Sequence, residues 1–112
     1  MAADVFQFTN KIKECDELNK ELDSHRPFPT EVVKQLKEYY KIGLTYTSNA
    51  IEGNSLTESE TKVVIEEGLT IGGKPMRDHL EALGHAAAYD FICELTDIKR
   101  GISEKDILKM HR

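Results

Sequence analysis

Val5, Phe8, Ile12, Cys15, Leu18 and Leu22 recur at steps of three and four residues, with lysines and glutamates between them. That spacing places the apolar side chains on one face of a helix. Arg26-Pro27-Phe28-Pro29 ends the pattern, because two prolines cannot continue a helix. Thr30 is then a candidate cap for a second helix. Its main stripe is Val33, Leu36, Tyr40, Leu44, Thr47 and Ile51, and Val32, Tyr39, Ile42 and Tyr46 widen the apolar face. The reading makes this helix central and carries it to Glu52, where Gly53 can take the left-handed backbone that closes a helix.

Thr57 and Glu60 form a T-x-x-E capping box that opens a short helix, which runs through Glu67 to a stop at Gly68. Leu69 to Met76 reads LTIGGKPM, short apolar runs about a Gly72-Gly73 pair, and predicts a β-hairpin, a mobile flap unless it is docked. Asp78 and Glu81 suggest a further capping box. Leu80, Leu83, Ala87, Phe91 and Leu95 mark a long helix, which Gly84, Ala86, Ala87 and Ala88 thin for a close neighbour. Lys99-Arg100-Gly101 reads as its end. Ser103 caps a fifth helix bearing Ile107, Leu108 and Met110, which the sequence leaves after a few turns at Arg112. The predicted fold is all-α: a small bundle of about five helices with one β-hairpin. Residues 1–56 form an N-terminal helical part and residues 57–112 the start of a core, expected to be cut short at 112.

The composition narrows the function classes. The chain has 112 residues, enough for one small domain. Its formal net charge of -5 lacks the concentrated positive field that phosphate backbones demand, so nucleic acid is not an expected partner. No apolar run approaches the ~20 residues of a membrane span, and no basic-then-apolar leader opens the chain. A cytoplasmic location and no membrane partner are expected. Cys15 and Cys93 stand far apart and read as reduced, semi-buried packing residues. His25, His79, His85 and His111 show no metal-ligand spacing, so no metal site is expected. Ser48, Ser55 and Ser59 have no histidine placed to activate them, and His85 reads as a packing residue beside Gly84.

Glu52 is the anomaly. A carboxylate at a helix C-terminus faces the negative end of the dipole, at a cost of about 0.3–1 kcal/mol. Ser48 lies four residues earlier on the same face, and Gly53 removes bulk beside the carboxylate. Together Ser48, Glu52 and Gly53 describe an acidic tip suited to an arginine fork. The bland reading is a solvated glutamate beside a helix stop. Glu52-Gly53-Asn54 superficially opens like a phosphate loop, but Ser55 and Leu56 follow and supply no arginine. Leu69, Thr70, Ile71, Gly72, Gly73 and Lys74 make the predicted flap, whose edge could accept an extended peptide as an added strand.

The stretch TYTSNAIEGNSLTESETKVVIEEG, continued by LTIGGKPMRDHLEALGHAAAYDFI, resembles the N-terminal part of Fic-domain proteins, over roughly Tyr39 to Arg112. Ser48 to Gly53 matches the family's inhibitory motif, (S/T)xxxE(G/N). The run E-A-L-G-H-A-x-A-Y after the predicted flap and the Ile107–His111 segment resemble its core helices. The resemblance implies transfer of AMP from ATP, with Mg, to a protein hydroxyl. The family's catalytic signature, HxFx(D/E)GNGRxxR, does not occur in this sequence, so no catalytic residue is assigned and no activity is expected of the chain alone. ATP and Mg are implied for the whole enzyme, not for this segment. In the resemblance, Glu52 pairs with the last arginine of the signature and keeps it from the γ-phosphate, while Ser48 is expected to brace the glutamate or touch the same site. The partner is therefore the remainder of a Fic core, in cis or in trans. The competing readings are a free antitoxin-like module that inhibits a Fic enzyme in trans and a plain helical interaction protein. Exposed apolar surface after Asp78 would favour a homo-oligomer.

Overall fold

The computed structural model describes residues 7–111. Val5, at the head of the first apolar stripe, and Arg112 lie outside the described residues. Five helices follow in order: α1 (Thr9–Ser24), α2 (Thr30–Ile51), α3 (Glu58–Glu67), α4 (Met76–Leu95) and α5 (Glu104–His111). The chain forms two compact units, Met1–Lys34 and Gln35–Arg112.

The first unit holds α1. Its apolar stripe has the helical period, yet no residue of α1 is buried. Cys15 is exposed rather than semi-buried. The helix closes at His25, and Arg26 pairs with Asp23 at 2.7 Å while its guanidinium lies over the Phe28 ring.

The second unit is built around α3 and α4. Leu56, Val64 and Ala82 form its core cluster, with Ile71 packed against it. Ile42 and Ala86 are also buried. Helix α2 reaches α4 through its Ile42–Thr45 side: Thr45 Oγ1 lies 2.8 Å from His85 Nδ1, and Lys41 Nζ donates to Asp90 at 2.9 Å. The stripe predicted to face inward, Leu36, Tyr40, Leu44 and Ile51, is instead largely exposed. Periodicity finds an apolar face but does not say which side of a helix a partner covers. The close approach to α4 occurs at Ala82 and Ala86, one turn apart; Gly84 has nothing within 4 Å of where a side chain would start.

The caps follow the sequence in part. The Thr57–Glu60 capping box forms, and Gly68 closes α3 in the left-handed conformation at φ 65°. Thr30 is a helical residue, with Val33 N–H already bonded to Pro29 O, and not a cap. The Asp78–Glu81 box does not form. Helix α4 starts earlier, after Pro75, and the Asp78 carboxylate turns to Ser55. Helix α4 also ends at Leu95, before Lys99. Arg100 then serves a different end: its guanidinium grips Asp106 with two bonds of 2.7 and 3.0 Å, while Ser103 caps α5.

The β-hairpin is absent: among the described residues there is no strand, and Leu69 to Pro75 is a loop. The paired-strand turn of the type I′ class needs positive φ at both central residues. Here only Gly73 has it, at 81°, in a turn closed by Lys74 N–H to Ile71 O at 3.3 Å. That geometry splays the flanking chains. The Ile71 amide is donated to His79 Nε2 at 2.8 Å and so cannot serve a ladder, and Pro75 has no amide to give. The loop is docked, through Ile71 on His79 and Lys74 on Ser55. The strand addition expected of Leu69 to Lys74 therefore has no paired strand to start from.

Candidate functional site

The end of α2 is closed by two reversed bonds: Asn54 N–H to Asn49 O at 2.9 Å and Gly53 N–H to Ala50 O at 3.1 Å. This is the Schellman arrangement, and it needs a left-handed residue at its turn, which Gly53 supplies at φ 94°. Glu52 is thereby the C-cap residue of α2. It is exposed, and among the described residues its carboxylate makes no hydrogen bond or ion pair. The helix end thus presents an unneutralised carboxylate beside a glycine with open space around it.

Among the described residues no hydrogen bond joins Ser48 to Glu52. Ser48 is half-buried and lines a groove of about 340 Å³ with Leu44, His85, Ala88, Tyr89, Ile92 and Met110, between α2, α4 and α5. The motif's two polar residues therefore face different surroundings. Four residues of one helix face are neighbours only while the helix is regular, and Glu52 already sits at its unwinding end.

Immediately behind Glu52 lies a polar clamp that no short-range pattern revealed. Asp78, at the third position of α4, accepts the Ser55 amide at 2.9 Å and the Ser55 hydroxyl through the same oxygen. Asn54 Nδ2 donates to Asp78 O at 3.0 Å and to Glu81 Oε2 at 3.1 Å, and Asn54 Oδ1 accepts the Leu56 amide at 3.0 Å. Lys74 Nζ donates to Ser55 O at 2.7 Å and lies 3.5 Å from Glu60. His79, buried, accepts from Ile71 N–H through Nε2, so its Nδ1 carries the proton that reaches Pro75 O at 2.8 Å. One neutral imidazole thus fixes the loop that carries Lys74. The partners of Asn54 and Ser55 on α4 lie 23 to 27 residues away in sequence, so only the fold brings them together.

The clamp's charges are held by donors. The Ser55 hydroxyl and then its amide keep the Asp78 carboxyl below its ordinary value of 3.8, against the opposing effect of burial. The Thr57 amide does the same for Glu60. The Arg100 guanidinium is the main cause of a still deeper lowering at Asp106. Burial pushes His85 below its ordinary 6.5. The signs combine as follows. A base whose folded value is depressed is protonated more readily by the unfolded chain, so His85 costs stability as pH falls below about 6.5. Carboxylates with depressed folded values contribute stability above about 3.8, which is lost as pH falls through their lower folded values. Melting temperature is expected to decline in two stages on acidification. His85→Gln should abolish the first stage alone, and a single-stage profile in the unsubstituted chain would contradict this assignment.

Among the described residues no group of three or more His, Cys, Asp or Glu side chains is arranged to hold a metal ion. No helix is long and apolar enough to cross a membrane.

No family model matches the chain, and no solved structure matches it. Curated relatives do. The protein adenylyltransferase fic-1 of Caenorhabditis briggsae is 36% identical over 103 residues, which is 90% of this chain and 20% of that protein. Its namesake in Caenorhabditis elegans is 37% identical over 91 residues, 80% of this chain and 18% of that protein. The protein adenylyltransferase Fic of Drosophila mojavensis is 32% identical over 112 residues, 98% of this chain and 22% of that protein. The chain spans about a fifth of the length of these relatives. With nearly all of its residues aligned to one segment of such enzymes, the chain belongs to the Fic protein adenylyltransferase family.

Proposed function

We propose that this chain is the autoinhibitory segment of a Fic-type protein adenylyltransferase, and that Glu52 is its inhibitory group. The observation that carries the reading is the exposed, unpaired Glu52 carboxylate at the C-cap of α2. A negative charge there is disfavoured by the helix dipole until a cation arrives. An arginine fork is the natural cation, because two parallel N–H donors match a carboxylate. The same fork binds phosphate oxygens, so Glu52 and the γ-phosphate of ATP compete for it. With Glu52 in place, ATP is denied the pose in which its α-phosphate meets the attacking hydroxyl. The target protein is modified only when Glu52 withdraws. The test is Glu52→Gly in a chain that carries both this segment and the arginine signature, read as AMP transfer.

A second part of the reading concerns the uncovered apolar face. Leu36, Tyr40 and Leu44 on α2, Leu80 and Leu83 on α4, and Ile107 and Leu108 on α5 are substantially exposed. Isolated large apolar side chains are ordinary on a surface, but this many on three helices favour burial against other protein. In the chain by itself, self-association is the expected outlet, alongside the remainder of a Fic core as the natural cover. Light scattering should return a mass above that of one chain, rising with concentration. A strictly monomeric mass would remove this part of the proposal.

A further inference from the structure

We propose that Asp78 and Asn54 are positioning residues for Glu52: they pin the chain directly behind the helix end that presents it. The proposal rests on the inhibitory reading of Glu52 and goes beyond it. Helix α2 is tied to α4 by hydrogen bonds at Lys41 and Thr45. Among the described residues, the next such tie is Asn54, two residues past Glu52, followed by Ser55. The last turns of α2, including Glu52, therefore hang between two attachment points. Helix ends fray when their outgoing chain is unheld. Gly53, the sole residue between Glu52 and the clamp, meets nothing within 4 Å and offers no side-chain restraint.

The clamp has the strength this role demands. Asp78 is 7% exposed, and one of its oxygens takes both Ser55 donors. Charge-assisted bonds of this kind are about twice as strong as neutral ones. The Asn54 side chain uses its amide nitrogen on α4 and its oxygen on the Leu56 amide, so the turn and the helix are stapled by one group. An inhibitory carboxylate works only at the geometry that meets its arginine, and a frayed helix end spends less time there. Asp78 and Asn54 touch neither nucleotide nor target. They act through Glu52.

Non-additivity provides the test. In a chain carrying this segment and the arginine signature, AMP transfer is measured for Asp78→Asn, Asn54→Ala and Glu52→Gly, and for each clamp variant combined with Glu52→Gly. Each clamp variant is expected to raise the rate roughly three- to tenfold, less than Glu52→Gly does. Neither should add to the rate once Glu52 is gone, because residues acting through one group are not additive. In the 112-residue chain, amide hydrogen exchange at Gly53 to Ser55 should accelerate in both clamp variants. Asn54→Ala supplies the answer if Asp78→Asn fails to fold. Clamp variants that leave the rate unchanged, while Glu52→Gly raises it, overturn the positioning role alone. Clamp variants that change the rate equally with and without Glu52 also overturn it. A silent Glu52→Gly overturns the inhibitory reading, and the positioning role with it.

Discussion

Replacing Glu52 by glycine, in a chain that carries the arginine signature, is expected to raise AMP transfer by about ten- to a hundredfold. The magnitude follows from the group removed. A hydrogen bond to a charged partner contributes about 1.5–3 kcal/mol net, and each 1.4 kcal/mol is a factor of about ten in an equilibrium. Freeing the guanidinium from one carboxylate therefore shifts it toward the phosphate by that factor. Glu52→Gln should lie between, since it keeps the shape and loses the charge. The substitution should leave folding nearly untouched. Glu52 is exposed, has no side-chain partner among the described residues, and sits where the dipole disfavours it. A rise in rate with an unchanged melting temperature is thus the expected signature. A rate within twofold of the parent would sink the inhibitory role.

Contacts between near neighbours are legible in the sequence only in part, and contacts across the fold are not legible at all. The Thr57–Glu60 box, the Gly53 and Gly68 helix ends and the Ser103 cap each involve residues within a few positions, and each forms. The Gly72-Gly73 pair was also a local signal, yet it misled, because a hairpin needs amides free on both sides. His79 takes the Ile71 amide, eight residues away, and Pro75 has none. Asp78 looked like a cap because its neighbourhood fits one; its carboxylate is instead drawn to Ser55, 23 residues distant. The apolar stripe of α2 was legible as a stripe, but its buried side is decided by Thr45 meeting His85 and Ile42 reaching the core. Ser48 and Glu52 were legible as a spacing. Their divergence, one lining a groove and the other standing at the cap, depends on where the helix unwinds.

Leu56→Ala is expected to cost about 2–5 kcal/mol of folding free energy, the range for emptying a buried leucine site. The site is unforgiving. Leu56 is 3% exposed and is the linker's contribution to a cluster whose other fully buried members are Val64 and Ala82. Ala82 is too small to move into the vacated space, and Val64 is stiff at its branched carbon. A small domain has about 5–15 kcal/mol to lose, so this single change should leave a sizeable unfolded population at body temperature. Ile51→Ala, five residues earlier, is the control: Ile51 is 84% exposed, and its loss should fall within about 0.5 kcal/mol of neutral. Chemical denaturation of both variants decides the matter. A Leu56→Ala cost under about 1 kcal/mol would mean that the α3–α4 core is not what holds the second unit together. The same variant bears on Glu52: alanine keeps the backbone amide, but the Leu56 side chain anchors in the core the segment whose amide is bonded to Asn54 within the clamp. Its loss should weaken inhibition together with stability, whereas Glu52→Gly weakens inhibition alone, and that contrast separates a residue that holds the helix end from the residue that does the blocking.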